Sequence, residues 1–228
     1  MANLSDIIEK IQKIIQIAER SDKPGEVAAA QARVQELITK YQIEEAQLSK
    51  RVGTGGIISV RVETPKPYRV DKSVLLNVIA KHNYCKVLRG EDYCLVFGYS
   101  SDIDLVIALY HALVIHMVVE MKTKLNTFSI TSEERTHSKS WAKSFFSGYC
   151  VSIGERIKAS KAKVVSELES TGTSVALVMR DKEHSIEEFW QKQERKPAAA
   201  RKLTTVSGYQ DGINSGRSAD LQQNKLGE

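Results

Sequence analysis

The chain is poor in the residues that most chemistries require. Three cysteines among 228 residues, an odd number in no framework spacing, exclude a disulfide scaffold and fit a reducing compartment, so the cytoplasm is the expected location. Long apolar runs are also missing. The longest uncharged one, Leu105 to Val119, is interrupted by His111 and His116; it is too short to span a bilayer, and no membrane partner is expected. The first residues do not combine a basic start, an apolar stretch and a small-residue cleavage site, so secretion is not expected.

Motifs of catalysis and metal binding are equally scarce. No Gly-x-Ser-x-Gly elbow occurs, and SFFSGYC places Ser144, Ser147 and Cys150 inside a predicted helix with no base or orienting group beside them. His82, Cys85 and Cys94 could begin a zinc site, but no second CxxC or HxxxH pair completes it. Among Val87, Leu95 and Val96 the two cysteines are expected to be small buried hydrophobes. A hairpin symmetric about Gly90 and Glu91 sets Cys85 and Cys94 diagonally, about 7–8 Å apart at Cα, too far for easy bridging. His111 and His116 diverge by about 140° on a helix and cannot readily share a metal. His116 and Glu120 face one way without a third ligand. The expectation is no catalytic residue, no metal and no cofactor.

Glycine is present, 13 residues in all, but not as a phosphate loop. In SGYQDGINSGRSADLQ, Gly208, Gly212 and Gly216 are spaced by four, whereas a Walker-type loop needs Gly-x-x-x-x-Gly-Lys and a dinucleotide turn needs Gly-x-Gly-x-x-Gly after a strand. On a helix, positions four apart lie one above another and would form a bare groove. Each interior glycine costs about 1 kcal/mol relative to Ala. The spacing therefore predicts a helix over Ser207–Gln222 whose glycine face packs closely on another part of the fold.

What is there is ordinary for a globular protein: 42% hydrophobic and 27% charged residues. Residues 1–50 read as two amphipathic helices, with Ile7, Ile8, Ile11, Ile14, Ile15 and Ala18 on one stripe and Ala30, Val34, Leu37, Ile38 and Tyr41 on the next, broken by SDKPG. Ile58, Val60 and Val62 alternate with polar residues as a half-buried strand ended by Pro65 and Pro67. A helix is expected over about Lys72 to Lys81, then a hairpin of NYCKVL and DYCLVF. A long helix follows from about Asp102, with Ser101 and Asp104 as its capping arrangement, and another over roughly His137 to Leu168. A fourth strand is expected over Val175 to Met179, and after it a helix opened by a Ser185–Glu188 capping box. The expected fold is α+β: a helical hairpin (1–50), then a domain (57–228) with a small, mainly antiparallel sheet, long helices packed on one face, and a helical C-terminal tail.

The stretch IIEKIQKIIQIAERSDKPGEVAAAQARVQELITKYQIE, from about Leu4 to Glu45, resembles the DUF2786 domain, a small helical module of unknown function found in bacteria and their phages. VFGYSSDIDLVIALYHAL, SWAKSFFSGYCVSIGERI and the glycine-spaced tail look like the domain that often follows it, also of unknown function. The resemblance implies an architecture and a bacterial or phage setting, and brings no catalytic residue, cofactor or substrate.

Charge is the strongest nonrandom feature. The formal net charge is +5, and Arg135, Lys139, Lys143, Arg156, Lys158, Lys161 and Lys163 face a single acid, Glu155, between Arg135 and Val165. On a continuous helix Lys139, Lys143, Lys158 and Lys161 fall within about 100° and extend over roughly 33 Å, a stripe able to follow phosphates. Arg195, Lys196, Arg201 and Lys202 form a second cluster around Pro-Ala-Ala-Ala. Alternatively these lysines are the solvated face of a helix whose apolar side holds Trp141, Phe145, Tyr149 and Ile153 as core. The leading expectation is a non-enzymatic accessory protein, phage or mobile-element encoded, that binds DNA or RNA through backbone phosphates. A protein-interaction module, such as a phage factor that binds and inhibits a host defence protein, is the alternative; a hydrolase with a site assembled from distant residues is a third.

Overall fold

The computed structural model describes residues 56–126, 132–170, 175–193 and 205–219, together with Lys10, Lys13, Ile14, Arg33, Glu36, Leu37, Thr39 and Lys40. The hairpin expected over residues 1–50 otherwise lies outside the described residues. The eight described there are helical, and Glu36 accepts from Arg33 at 2.7 Å and Lys40 at 2.6 Å, the i−3 and i+4 pairs of one helix face.

The remainder is α+β and mostly helical. Strand β1 (Ile58–Glu63), helix α1 (Arg69–His82), strands β2 (Lys86–Arg89) and β3 (Tyr93–Gly98), and helices α2 (Ser100–Leu125), α3 (Ser132–Ser170), α4 (Val175–Gln191) and α5 (Val206–Ser218) follow in order. The strands form one antiparallel sheet in the order β1–β3–β2. Alternation decides its faces: Val60, Val62, Val87, Cys94 and Val96 point into a core with Leu75, Leu76 and Ile79 of α1 and Ile103, Val106 and Tyr110 of α2. The other face is not bare. There Phe97 meets Phe189 and Trp190 of α4, with centroids 5.8 Å away in each case, and Lys86 pairs with Glu187 at 2.6 Å.

Several expectations need correction. Residues 175–179 are not a strand but the first turns of α4. A short apolar run suits either state, and here no Gly or Pro separates it from the helical sequence that follows. Ser185 therefore sits inside α4, its hydroxyl donating to the Asp181 carbonyl at 2.9 Å, rather than capping a start. The N-cap of α2 is Tyr99, without a side-chain cap, and Ser101 and Asp102 are buried in its first turn. In the β2–β3 hairpin Lys86 faces Phe97 and Arg89 faces Cys94, so the connection is Gly90-Glu91-Asp92. Cys94 is then four residues out of step with Cys85, about 13 Å along the strand, rather than diagonal to it.

Helix α2, 26 residues long, outlasts the apolar run read from the sequence. By length and composition it could cross a membrane, and half of its most apolar window is buried inside the fold. Helix α3 buries Trp141, Phe145, Phe146, Tyr149 and Ile153; Trp141, Phe145 and Tyr149 stack in succession, with centroids 5.3 and 6.4 Å apart, as core rather than as platforms for bases. Helix α5 lies against the same stretch. A Cβ at Gly208 would be 2.5 Å from the Trp141 carbonyl oxygen, one at Gly212 would overlap that of Phe145, and one at Gly216 would be 2.7 Å from Ser152 Cβ. Gly148 of α3 answers from the other side, against the Tyr209 carbonyl. Arg156 closes the end of α5, donating to the carbonyls of Gly216 and Ala219 at 2.7 Å each, where a cation also suits the helix dipole.

Candidate functional site

The turn after β1 builds one wall of a concavity that carries charge. After β1 ends, the Thr64 amide donates to the Asp92 carbonyl at 2.8 Å, and Lys72 reaches back to the Pro65 carbonyl at 2.8 Å. Arg69 pairs with Asp92 at 3.0 Å. This anchored turn presents Tyr68 at the N-cap of α1 with φ 66, a left-handed conformation that costs a non-glycine residue roughly 1–2 kcal/mol. Its ring packs on Phe146 of α3, with centroids 5.1 Å apart, which offsets that cost and points the turn at α3.

Between this turn, the end of β2, the end of α2 and the start of the described side chains of α3 lies a groove of about 600 Å³. Its apolar lining is Tyr68, Val70, Leu125, Ala142 and Phe146, and its cations are Arg89, Lys139 and Lys143. All three cations are exposed, while the one acid in the lining, Asp71, is only 9% exposed and lies deeper. Among the described residues none of the three cations is held in an ion pair. Lys139 and Lys143 are one turn apart, about 6 Å along α3.

The four lysines of the proposed stripe thus part company. Lys139 and Lys143 share the groove rim; Lys158 is exposed about 23 Å further along α3. Lys161 has the azimuth of Lys143 but different neighbours. Its ammonium donates to the His82 carbonyl at 2.9 Å and lies 3.4 Å over the Tyr84 ring; burial pushes its pKa down to about 8. It is turned into the fold because α1 ends beside it, brought close by Gly154, where a Cβ would be 3.1 Å from Val78. Arg195, Lys196, Arg201 and Lys202 lie outside the described residues. Arg89, Tyr68 and Phe146 were not nominated from the sequence, and no local pattern links positions 68, 89 and 146.

A second polar cluster is closed. Asp102, fully buried, pairs with Lys182 of α4 at 2.6 Å. Lys182 also lies 5.6 Å from the Tyr84 ring and 5.3 Å from that of Tyr99. Tyr84 donates to Met179 Sδ at 3.0 Å; burial, then Glu183 and Asp102, raises its pKa well above the usual phenol range. Burial likewise raises the Cys85 thiol, with Asp102 adding to it. With Lys161 beside it, this cluster ties α4 to the sheet and to the first turn of α2.

His116, considered for metal, has another partner. His116 Nδ1 is 3.1 Å from the Tyr149 hydroxyl, and burial lowers its pKa. Glu120 accepts from Ser215 at 3.1 Å. Among the described residues no three of His, Cys, Asp and Glu come together as a metal-binding set.

Residues 6–45 match the family described as a protein of unknown function, DUF2786. No curated protein and no solved structure matches the chain.

Proposed function

We propose that the protein is a non-enzymatic accessory protein, phage or mobile-element encoded, that binds nucleic acid in the cytoplasm through backbone phosphates. The observation that carries this reading is the convergence of Arg89, Lys139 and Lys143, from a strand and a helix, on one groove. Lys139 and Lys143 stand on two successive turns of α3, about 6 Å apart along its axis, so both can reach one stretch of backbone. Lys158 extends the track, and Arg195, Lys196, Arg201 and Lys202 supply a second basic cluster. Such contacts position a nucleic acid without reading its sequence.

The test is binding of labelled DNA and RNA at rising salt by the parent and by an Arg89→Gln/Lys139→Gln/Lys143→Gln variant. Parent affinity should fall steeply with salt, and removal of three phosphate contacts should flatten the log–log slope by about 2–3. The melting temperature should be nearly unchanged. A triple variant that binds as the parent does would make the rim a solvated surface.

A protein-interaction module is the second reading, favoured by Ile115 and Val119 of α2, one turn apart and 41% and 54% exposed. Co-purification from the native host, split into nuclease-treated and untreated halves, separates the two: a protein partner retained after nuclease, with no nucleic acid in the untreated half, selects this one.

A further inference from the structure

The phosphate-binding reading uses the rim of the groove and leaves its interior idle. We infer that the interior takes an unpaired base, so that the ligand is a single strand and not a duplex. The inference rests on the phosphate reading and deepens it.

Three features point the same way. First, the groove is about 600 Å³, a concavity with room for a splayed base, which a duplex instead keeps stacked inside the helix. Second, polarity is layered. Arg89, Lys139 and Lys143 are exposed at the rim, while Tyr68, Val70, Leu125, Ala142 and Phe146 line the interior. A phosphate belongs with the cations and a base with the apolar wall, which is how single-strand sites combine a basic track with stacking surfaces. Third, Tyr68 offers a ring at the edge of the interior: it is part-exposed, whereas Phe146 behind it is 1% exposed. Its left-handed backbone, held by the Thr64–Asp92 and Lys72–Pro65 hydrogen bonds, keeps that ring in place before any ligand arrives.

The experiment compares three labelled probes with the full chain at one salt concentration: an oligothymidylate, a duplex of the same total charge, and a single strand of the same length whose sugars carry no bases. The oligothymidylate should bind about tenfold more tightly than either of the others, the scale of one stacked base. Val70→Trp, which fills the groove from an exposed position, should bring all three probes to the same weaker affinity with the salt dependence intact. Should that variant fail to fold, Val70→Glu places a repelling charge at the same spot and serves instead.

Equal binding of the abasic strand and the oligothymidylate by the parent would overturn the inference while leaving the phosphate reading standing. So would an unchanged preference in the Val70 variants. No binding of any probe overturns both readings, as does tighter binding of an acidic, tyrosine-containing peptide than of any strand.

Discussion

Gly212 of α5 approaches Phe145 of α3 so closely that a Cβ on the glycine would overlap the phenylalanine's carbonyl oxygen. The two helices therefore meet backbone to backbone, with Gly148 making the reciprocal approach to Tyr209.

Substitution at this seam has opposing local and tertiary effects. Gly212→Ala gains about 1 kcal/mol of helix propensity, but the neighbour it would meet is the Phe145 backbone, which cannot step aside as a flexible side chain could. Overpacking of this kind costs about 1–3 kcal/mol or more. We expect Gly212→Ala and Gly148→Ala each to lower the melting temperature, and Gly212→Leu to lower it further. Thermal melts check this; an Ala variant as stable as the parent would mean that the helices do not touch.

Stability should depend on pH through Lys161. Its folded pKa is about 8 against an ordinary 10.5, so between those values the unfolded chain binds more protons than the folded one. Its unfavourable contribution is complete below pH 8 and is relieved as pH rises toward 10.5. Lys161→Met should therefore stabilise at pH 7, by at most about 3 kcal/mol, less what the Tyr84 and His82 contacts contribute. The gain should vanish near pH 10.5. His82, Tyr84, Cys85, Asp102, Lys182 and Glu183 surround the site, and the raised Tyr84 and Cys85 make the parent itself lose stability above about pH 9–10. The informative measurement is thus the difference between parent and variant in denaturant melts at each pH. A variant less stable than the parent at pH 7 would refute the assignment.

The Asp102–Lys182 pair should behave as a buried ion pair does. Removing one partner, as in Asp102→Leu or Lys182→Met, strands the other charge and should cost about 3–5 kcal/mol. The double variant should recover most of that. A double-mutant cycle by denaturant unfolding measures the coupling; strict additivity would mean that the two groups are not partners.

Cys85, Cys94 and Cys150 are buried, and burial raises the first two thiols above their usual range. A thiol reagent at neutral pH should label none of them quickly in the native protein and all three in denaturant. Rapid native labelling of one would place it at the surface.

Local pattern carried the reading of the sequence a long way. The β1 alternation, the hairpin sequence, the apolar stripe of α2 and the four-residue glycine spacing of α5 each have a period that a single element must satisfy. What failed was decided by neighbours. VALVM could be strand or helix until its continuation into α4 settled it. Lys143 and Lys161 share an azimuth, yet only Lys161 meets the end of α1. The groove was illegible because Tyr68, Arg89 and Lys139 come from three elements with nothing periodic between them, and Asp102 and Lys182 are eighty positions apart. Gly148 was visible in the sequence, but a lone glycine inside a helical pattern does not say what it faces.

The glycine seam also sets an order of events. An isolated 13-residue helix with three interior glycines has little stability of its own, and the surface it needs, from Trp141 to Ser152, exists only once α3 has formed. The Arg156 clasp on Gly216 and Ala219 closes later still, because it requires both helices. Helix α5 is therefore expected to arrive late in folding, outside the rate-limiting nucleus. Damage to the seam should show itself as faster unfolding at an almost constant folding rate, so the close contact of these two backbones governs how long the native state lasts more than how quickly it is reached.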